Sequence, residues 1–274
     1  MSRLGEIVTP GAGIQRRPAS FGLMGLVLVF GAWYLAFTIV LIIGGVPFFL
    51  LRHRAWTRGR FPLAIRRFIQ FYGRMVIRLS RPLVRFHVAS RDAAIGVEPC
   101  VYVLNHLSFV DVYFCGFLPA FQTVIAIRSW PFRMPIFNVF MRWARYIDVE
   151  ASSFRDILDQ AAQALRSGAC LLFFPEGHRS RTGRLQPLHK GAFLIAARNN
   201  VPVVPVTIAG TEYLGGYRSK LLSPCRVTLT FHPPVRAEGL DFHSIQAFRR
   251  RVEDVYRRSD VGAGSGAGQP GGAR

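Results

Sequence analysis

Lysine is almost missing from this 274-residue chain. It occurs only at Lys190 and Lys220, so the 35 basic residues are nearly all arginine. Acidic residues are also scarce, at 15, and the formal net charge is +20. A guanidinium-rich surface favours bidentate contact with phosphate or carboxylate, so the balance points to an anionic partner: lipid headgroups, a phosphorylated substrate or nucleic acid. No Cys-x-x-Cys pair occurs. Cys100, Cys115, Cys170 and Cys225 are far apart and lie mostly in apolar runs, which argues against a zinc site or a redox pair and for buried, reduced thiols in a cytosol-facing protein. There is no Gly-x-Ser-x-Gly elbow, the feature a serine hydrolase of that type needs.

Charge is absent altogether from 21–51. A membrane helix needs about 20 apolar residues and two would need about 40 plus a turn, so one span over Phe21–Ile43, ended by Gly44, Gly45 and Pro47, fits best. A re-entrant hairpin is the alternative. A cleaved signal peptide is disfavoured by the length and by the lack of an Ala-x-Ala-like site. Arg52, Arg54, Arg58, Arg60, Arg66 and Arg67 follow and outnumber Arg3, Arg16 and Arg17, which places the bulk of the chain on the cytoplasmic side of a cell inner membrane. The expected organisation is a flexible lead (1–20), a membrane anchor (21–51), a basic amphipathic membrane-surface segment (52–82), a folded domain (83–258) and a disordered Gly/Ala/Ser-rich tail (259–274). Within the third segment, apolar residues recur at helical spacing at 61, 65, 68, 69, 72, 76 and 79 between arginines. That pattern suits an interfacial helix and equally a helix packed on the domain core.

The domain alternates. Strand-like runs are Leu83–Val88, Cys100–Leu104, Thr123–Ile127, Cys170–Phe174, Val203–Ile208 and Arg226–Phe231. Helical segments are Val112–Leu118, Pro135–Ala144, Phe154–Arg166, Gly191–Arg198 and Phe242–Arg257. This order predicts an α/β fold with a largely parallel sheet flanked by helices, whose ligands bind beyond the C-terminal strand ends. Two apolar strands there run into polar turns. Val101–Asp111 delivers Asn105 and His106, with Asp111 five residues after the histidine. That separation is about 140° on a helix, so the pair meets only if His106 is in the turn and Asp111 in the first turn of the next helix. Ser108-Phe109-Val110-Asp111 has the form of a capping box. Asp111 would then fix the tautomer of His106; alternatively Asp111 only caps the helix and His106 is a satisfied turn histidine. The second turn, after Phe174, carries Pro175, Glu176, Gly177, His178, Arg179, Ser180 and Arg181, and suits a phosphate-bearing substrate or simply a solvated charged turn.

Together these blocks resemble the glycerolipid acyltransferase family, the relatives of 1-acylglycerol-3-phosphate acyltransferase. Asn105, His106 and Asp111 match its Asn-His-x4-Asp motif. Phe174, Pro175, Glu176, Gly177, Arg179 and Ser180 match Phe-Pro-Glu-Gly-Thr-Arg-Ser, with His178 in place of Thr. Lys190-Gly191-Ala192 and the strand Val201–Val206 match two later blocks. The second motif departs: Ile147-Asp148-Val149 has no arginine where Ile-Asp-Arg is usual, and Arg145 or Arg155 are the candidate substitutes. The resemblance implies acyl transfer from acyl-CoA or acyl carrier protein to the hydroxyl of a lyso-lipid in phospholipid biosynthesis. The first candidate acceptor is 1-acyl-sn-glycerol-3-phosphate; the alternative is another lyso-lipid such as lyso-ornithine lipid. It further implies His106 as general base oriented by Asp111, and Asn105, Glu176, Gly177, Arg179, Ser180 and Lys190 as substrate-binding. It implies no metal or cofactor, membrane lipids as partners and no nucleic acid. Competing classes remain distinguishable: a membrane-anchored nucleic-acid binder would use the charge, a metal enzyme would ligate through His106, Asp111 and Glu176, and an inactive relative would lack turnover.

Overall fold

The structure is a computed structural model that describes residues 21–48, 51, 61–82, 84–120, 122–216 and 224–259. Expectations for 1–20, for Arg52, Arg54, Arg58 and Arg60, and for the tail beyond residue 259 lie outside the described residues. The chain divides into two units, 1–39 and 40–274.

Helix α1 (Phe21–Val40) has 20 residues without a charge. At 1.5 Å per residue it is about 30 Å long, the thickness of a bilayer's hydrocarbon core. By length and composition one described helix qualifies as a membrane span, its most apolar window being Gly31–Phe48. The glycines do not end it as expected. The backbone widens into a π-type turn at Leu41–Gly45, where the Val46 N–H reaches the Leu41 carbonyl, and helix continues through Phe48. Pro47 would push against the carbonyl four residues back in a regular helix, and a widened turn relieves that clash.

The folded domain is built on a seven-stranded sheet: β1 (Val84–Ala89), β2 (Val101–Leu104), β3 (Thr123–Ile127), β4 (Ile147–Asp148), β5 (Cys170–Phe173), β6 (Val203–Ala209) and β7 (Cys225–Phe231). Their spatial order is β1-β7-β6-β2-β5-β3-β4. Every neighbouring pair is parallel except β6 with β7. The expected α/β class with a largely parallel sheet holds. β2 is central and all four of its residues are buried, as are the first six of β6. Since successive side chains point to opposite faces, both faces of the sheet are covered. The coverings are α2 (Phe61–Leu79), α3 (Asp111–Phe114), α4 (Trp130–Arg133), α5 (Phe137–Trp143), α6 (Phe154–Arg166), α7 (Gly191–Arg198) and α8 (Phe242–Arg258). α6 starts at a true capping box between Ser153 and Asp156. Gly168 ends it with a φ of +79°, the left-handed conformation a side chain resists. α7 and α8 meet through Phe193 and Phe248, whose rings are 5.6 Å apart and edge-on, and the Tyr256 hydroxyl donates to the Val103 carbonyl at 2.6 Å.

The basic helix α2 belongs mainly to the core. Leu63, Ala64, Ile65, Arg66, Phe68, Gln70, Gly73 and Ile77 are all buried. Arg66, Gln70 and Arg74 recur every four residues, so they share one face. Arg66 Nε donates to the Ala144 carbonyl at 2.7 Å, Gln70 Nε2 to the Ala120 carbonyl at 2.7 Å, and Arg74 Nε to the Gly116 carbonyl. Burial lowers the Arg66 pKa from its ordinary value. These side chains satisfy buried loop carbonyls instead of reaching headgroups. What α2 leaves exposed is Phe61, Phe71 and Arg78.

Two glycines set the helix spacing. A Cβ on Gly73 would stand 2.6 Å from the Tyr113 carbonyl oxygen, and one on Gly116 would stand 2.7 Å from that of Gln70. Gly73→Ala must therefore force α2 away from α3, and is expected to destabilise the domain by about 1–3 kcal/mol. Thermal or urea denaturation reads this, and an unchanged midpoint contradicts the packing.

Candidate active site

β2, β5 and β3 are parallel neighbours, so their C-terminal ends share one edge of the sheet. At the end of β2 the Asn105 side chain takes over from the backbone. Its Nδ2 donates to the Ile208 carbonyl at 2.9 Å and its Oδ1 accepts the Ile208 N–H at 2.7 Å. This amide adds one more rung between β2 and β6 while freeing the main chain to turn. The next residue, His106, is then gripped from the β5 side: its N–H donates to Glu176 Oε1 at 2.8 Å, and its carbonyl accepts the Ser180 N–H at 2.7 Å. Its ring lies 4.4 Å from that of Phe174.

Asp111 fixes the ring. Its side chain is fully buried, and its Oδ2 accepts from His106 Nδ1 at 2.8 Å, from the Leu107 N–H at 2.7 Å and from the Ser108 N–H at 2.9 Å. An acceptor-only carboxylate at Nδ1 requires the tautomer with the proton on Nδ1, which leaves Nε2 as a base. Nε2 has no hydrogen bond among the described residues, and the His106 side chain is 21% exposed. The expected capping box is half formed. Asp111 accepts from the Ser108 amide, but the Ser108 hydroxyl donates to the Leu214 carbonyl and the Asp111 N–H bonds the Ser108 carbonyl instead. The hydroxyl oxygen still accepts the Val110 N–H at 3.4 Å, but not the Asp111 N–H that a capping box requires.

The second turn closes with the Gly177 N–H on the Phe174 carbonyl at 3.0 Å, with Pro175 presetting its first bend. Gly177 has a φ of +71°, and a Cβ there would press on the His189 ring at 3.1 Å. Glu176, expected at the acceptor headgroup, is buried and spends both oxygens on the protein: Oε1 on His106 and Oε2 on the Gln186 N–H at 2.8 Å. Burial raises its pKa above the ordinary 4.5, while the Gln186 and His106 amides pull the other way. Ser180 is buried with its hydroxyl on the Arg184 carbonyl at 2.8 Å. Asn105, Glu176 and Ser180 are thus braces of the His106 turn. Arg179 and Lys190 are the exposed members of the expected set.

The second motif forms the short edge strand β4. Burial opposes ionisation of Asp148, but the Ser129 hydroxyl and the Ala151 and Glu150 amides hold its pKa below the ordinary value. Arg145 and Arg155, the arginines expected to replace the missing one, are exposed on α5's C-terminal side and on α6. The structure brings a different arginine to the edge. Arg128 follows β3 directly; its Nε pairs with Glu150 Oε1 at 2.5 Å and its Nη1 bonds His178 Nδ1 at 2.8 Å. The signal was available, because Arg128 follows an apolar strand just as His106 and Glu176 do. Among the described residues, no group of three or more His, Cys, Asp or Glu side chains is arranged to hold a metal ion.

The fold and the edge define an α/β protein that presents a histidine with one ring nitrogen locked by a buried carboxylate and the other open. Residues 85–209 match the family model described as Acyltransferase. The chain is 32% identical over 223 residues to the chloroplastic 1-acyl-sn-glycerol-3-phosphate acyltransferase BAT2 of Brassica napus, covering 79% of this chain and 62% of that one. It is likewise 32% identical over 225 residues to the chloroplastic LPAT1 enzyme of the same description from Arabidopsis thaliana, covering 80% and 60%. The chain thus spans about three fifths of the length of these relatives. The crystal structure of PlsC, the 1-acyl-sn-glycerophosphate acyltransferase of Thermotoga maritima, shares the fold with a TM-score of 0.70 at 24% identity, over 86% of this chain and 95% of that one. These matches support the glycerolipid acyltransferase family for this chain.

Glu176→Gln tests the brace. An amide offers one acceptor oxygen where two N–H groups need one each, so about 1–3 kcal/mol of stability should be lost. The pH dependence has a defined sign. A pKa raised on folding contributes stability that is complete below the ordinary 4.5 and lost as pH rises through the folded value. Urea denaturation across the acid range should show that decline in the wild type and not in Glu176→Gln; parallel curves contradict the burial argument.

Proposed function

We propose that the protein is an O-acyltransferase that moves a fatty acyl group from acyl-CoA or acyl carrier protein to the free hydroxyl of a lyso-lipid. The acceptor we put first is 1-acyl-sn-glycerol-3-phosphate, the substrate in the names of the relatives. The observation that carries the reading is the open Nε2 of His106 at the sheet edge, with Nδ1 held by Asp111 at 2.8 Å. Nε2 takes the proton of the acceptor hydroxyl as its oxygen attacks the thioester carbonyl. Asp111 stabilises the imidazolium that forms. The tetrahedral intermediate collapses, the carbon–sulfur bond breaks, and the imidazolium returns the proton to the departing thiolate. The acceptor is itself the nucleophile and the thioester is already activated, so no acyl-enzyme is required.

Arg179 and Lys190 are exposed beside this turn, and Arg128 lies across it with its guanidinium on His178. These cations suit an acceptor phosphate. Val149 in place of the usual second-motif arginine favours, as a second reading, a lyso-lipid whose headgroup is not a phosphomonoester. The apolar helix α1 supports attachment to the membrane in which lyso-lipid acceptor and product reside, and the arginine excess after it supports a cytoplasmic catalytic domain at the inner membrane.

His106→Ala is expected to lower turnover by about 10²–10⁴-fold without unfolding the protein. The assay is membrane-reconstituted protein with a labelled acyl donor against a panel of lyso-lipids. Full activity in His106→Ala contradicts the assignment. Preference for an acceptor without a phosphomonoester selects the second reading.

A further inference from the structure

We infer that the segment Trp130–Trp143 is a second membrane contact, separate from the apolar helix α1, which dips into the bilayer surface beside the catalytic turn. Trp130, Met134, Ile136, Phe137, Val139 and Trp143 are all exposed, an unusual density of large apolar side chains in fourteen residues. Their arrangement is ordered. At 100° per residue, Val139 and Trp143 fall within about 40° of each other on one side of α5. Ile136 has a φ of +43° with its side chain 59% exposed. A β-branched residue takes that conformation only under constraint, and here the constraint holds an isoleucine out into solvent.

The patch is continuous with the active-site turn at one end. Phe109, three residues past His106, stacks obliquely on Trp130 at 5.5 Å. At the other end, Phe61, which opens α2, sets its ring edge-on to Trp143 at 5.4 Å. Charge identifies the occupant. Arg133, Arg142 and Arg145 are exposed around the patch, and no acidic residue lies between Ser129 and Ile147. Apolar and aromatic side chains rimmed by arginine match acyl chains beneath anionic headgroups. A second copy of a chain with net charge +20 would bring arginine against arginine. On this geometry a lyso-lipid need not leave the bilayer surface to reach His106.

The test uses the full chain in vesicles of phosphatidylcholine and phosphatidylglycerol. A nitroxide is placed at Met134→Cys or Phe137→Cys, with the four native cysteines replaced by serine, and Gln160→Cys on α6 as the reference. Met134 and Phe137 should be several-fold more accessible to oxygen, which partitions into lipid, than to a water-soluble nickel chelate, with the opposite order at Gln160. Behaviour like Gln160 at both positions overturns the inference. So does exclusion of both reagents, which marks a protein–protein contact. No turnover is read, so failure here leaves the acyl-transfer reading intact, and an inactive protein can still show the insertion.

Discussion

One carboxylate oxygen organises this active site. Asp111 Oδ2 accepts three N–H groups at 2.7–2.9 Å, from the His106 ring and from the Leu107 and Ser108 backbones. The two amide bonds fold the chain after β2 into a turn, and the ring bond orients the histidine at its start. Because one atom does both, the shape of the turn and the protonation of the ring are coupled. A group that only oriented the ring could be replaced by any acceptor; this one also has to accept two buried amides through the same oxygen.

Around that atom the family's motif residues serve mostly as a frame. Asn105 ties the turn to β6, Glu176 ties it to the β5 turn and to Gln186, and Ser180 returns a backbone bond to His106. The braces come from the ends of two neighbouring strands, β2 and β5, and reach β6, so the histidine is held by the sheet's own register. The groups left free for an anionic ligand are cations at the surface of the same edge. Arg128 is not wholly free, since Glu150 and His178 share it. A ligand phosphate would compete with a carboxylate for that guanidinium, a competition the arginines of the β5 turn do not face among the described residues. Next to this edge, the aromatic path from Phe109 to Trp130 leads onto the apolar surface of α4 and α5.

Local pattern made much of this legible. β3, α6 and α7 have the bounds that hydrophobic periodicity and capping indicate. His106 and Glu176 stand at strand ends as apolar runs breaking into polar turns suggest. What sequence could not supply was partner identity across the fold. The periodicity of α2 is the same whether its arginines face lipid headgroups or the carbonyls of Ala144 and Gly116, and only the packing decides. Ser108 looks like a cap until Leu214, 106 residues away, takes its hydroxyl. β4 has two residues, too few for any alternation to register, and exists because β3 offers it an edge. Arg128 lies outside the second motif, and only the apolar strand it follows marks its place.

The coupling of turn and tautomer is measured most directly by 15N NMR of histidine-labelled protein near neutral pH, with His106 assigned by its loss in His106→Gln. The account predicts a neutral ring protonated at Nδ1 with a bare Nε2, and loss of that preference in Asp111→Ala. A wild-type ring carrying its proton on Nε2 would contradict it, because the nitrogen assigned as the base would then have no lone pair to offer.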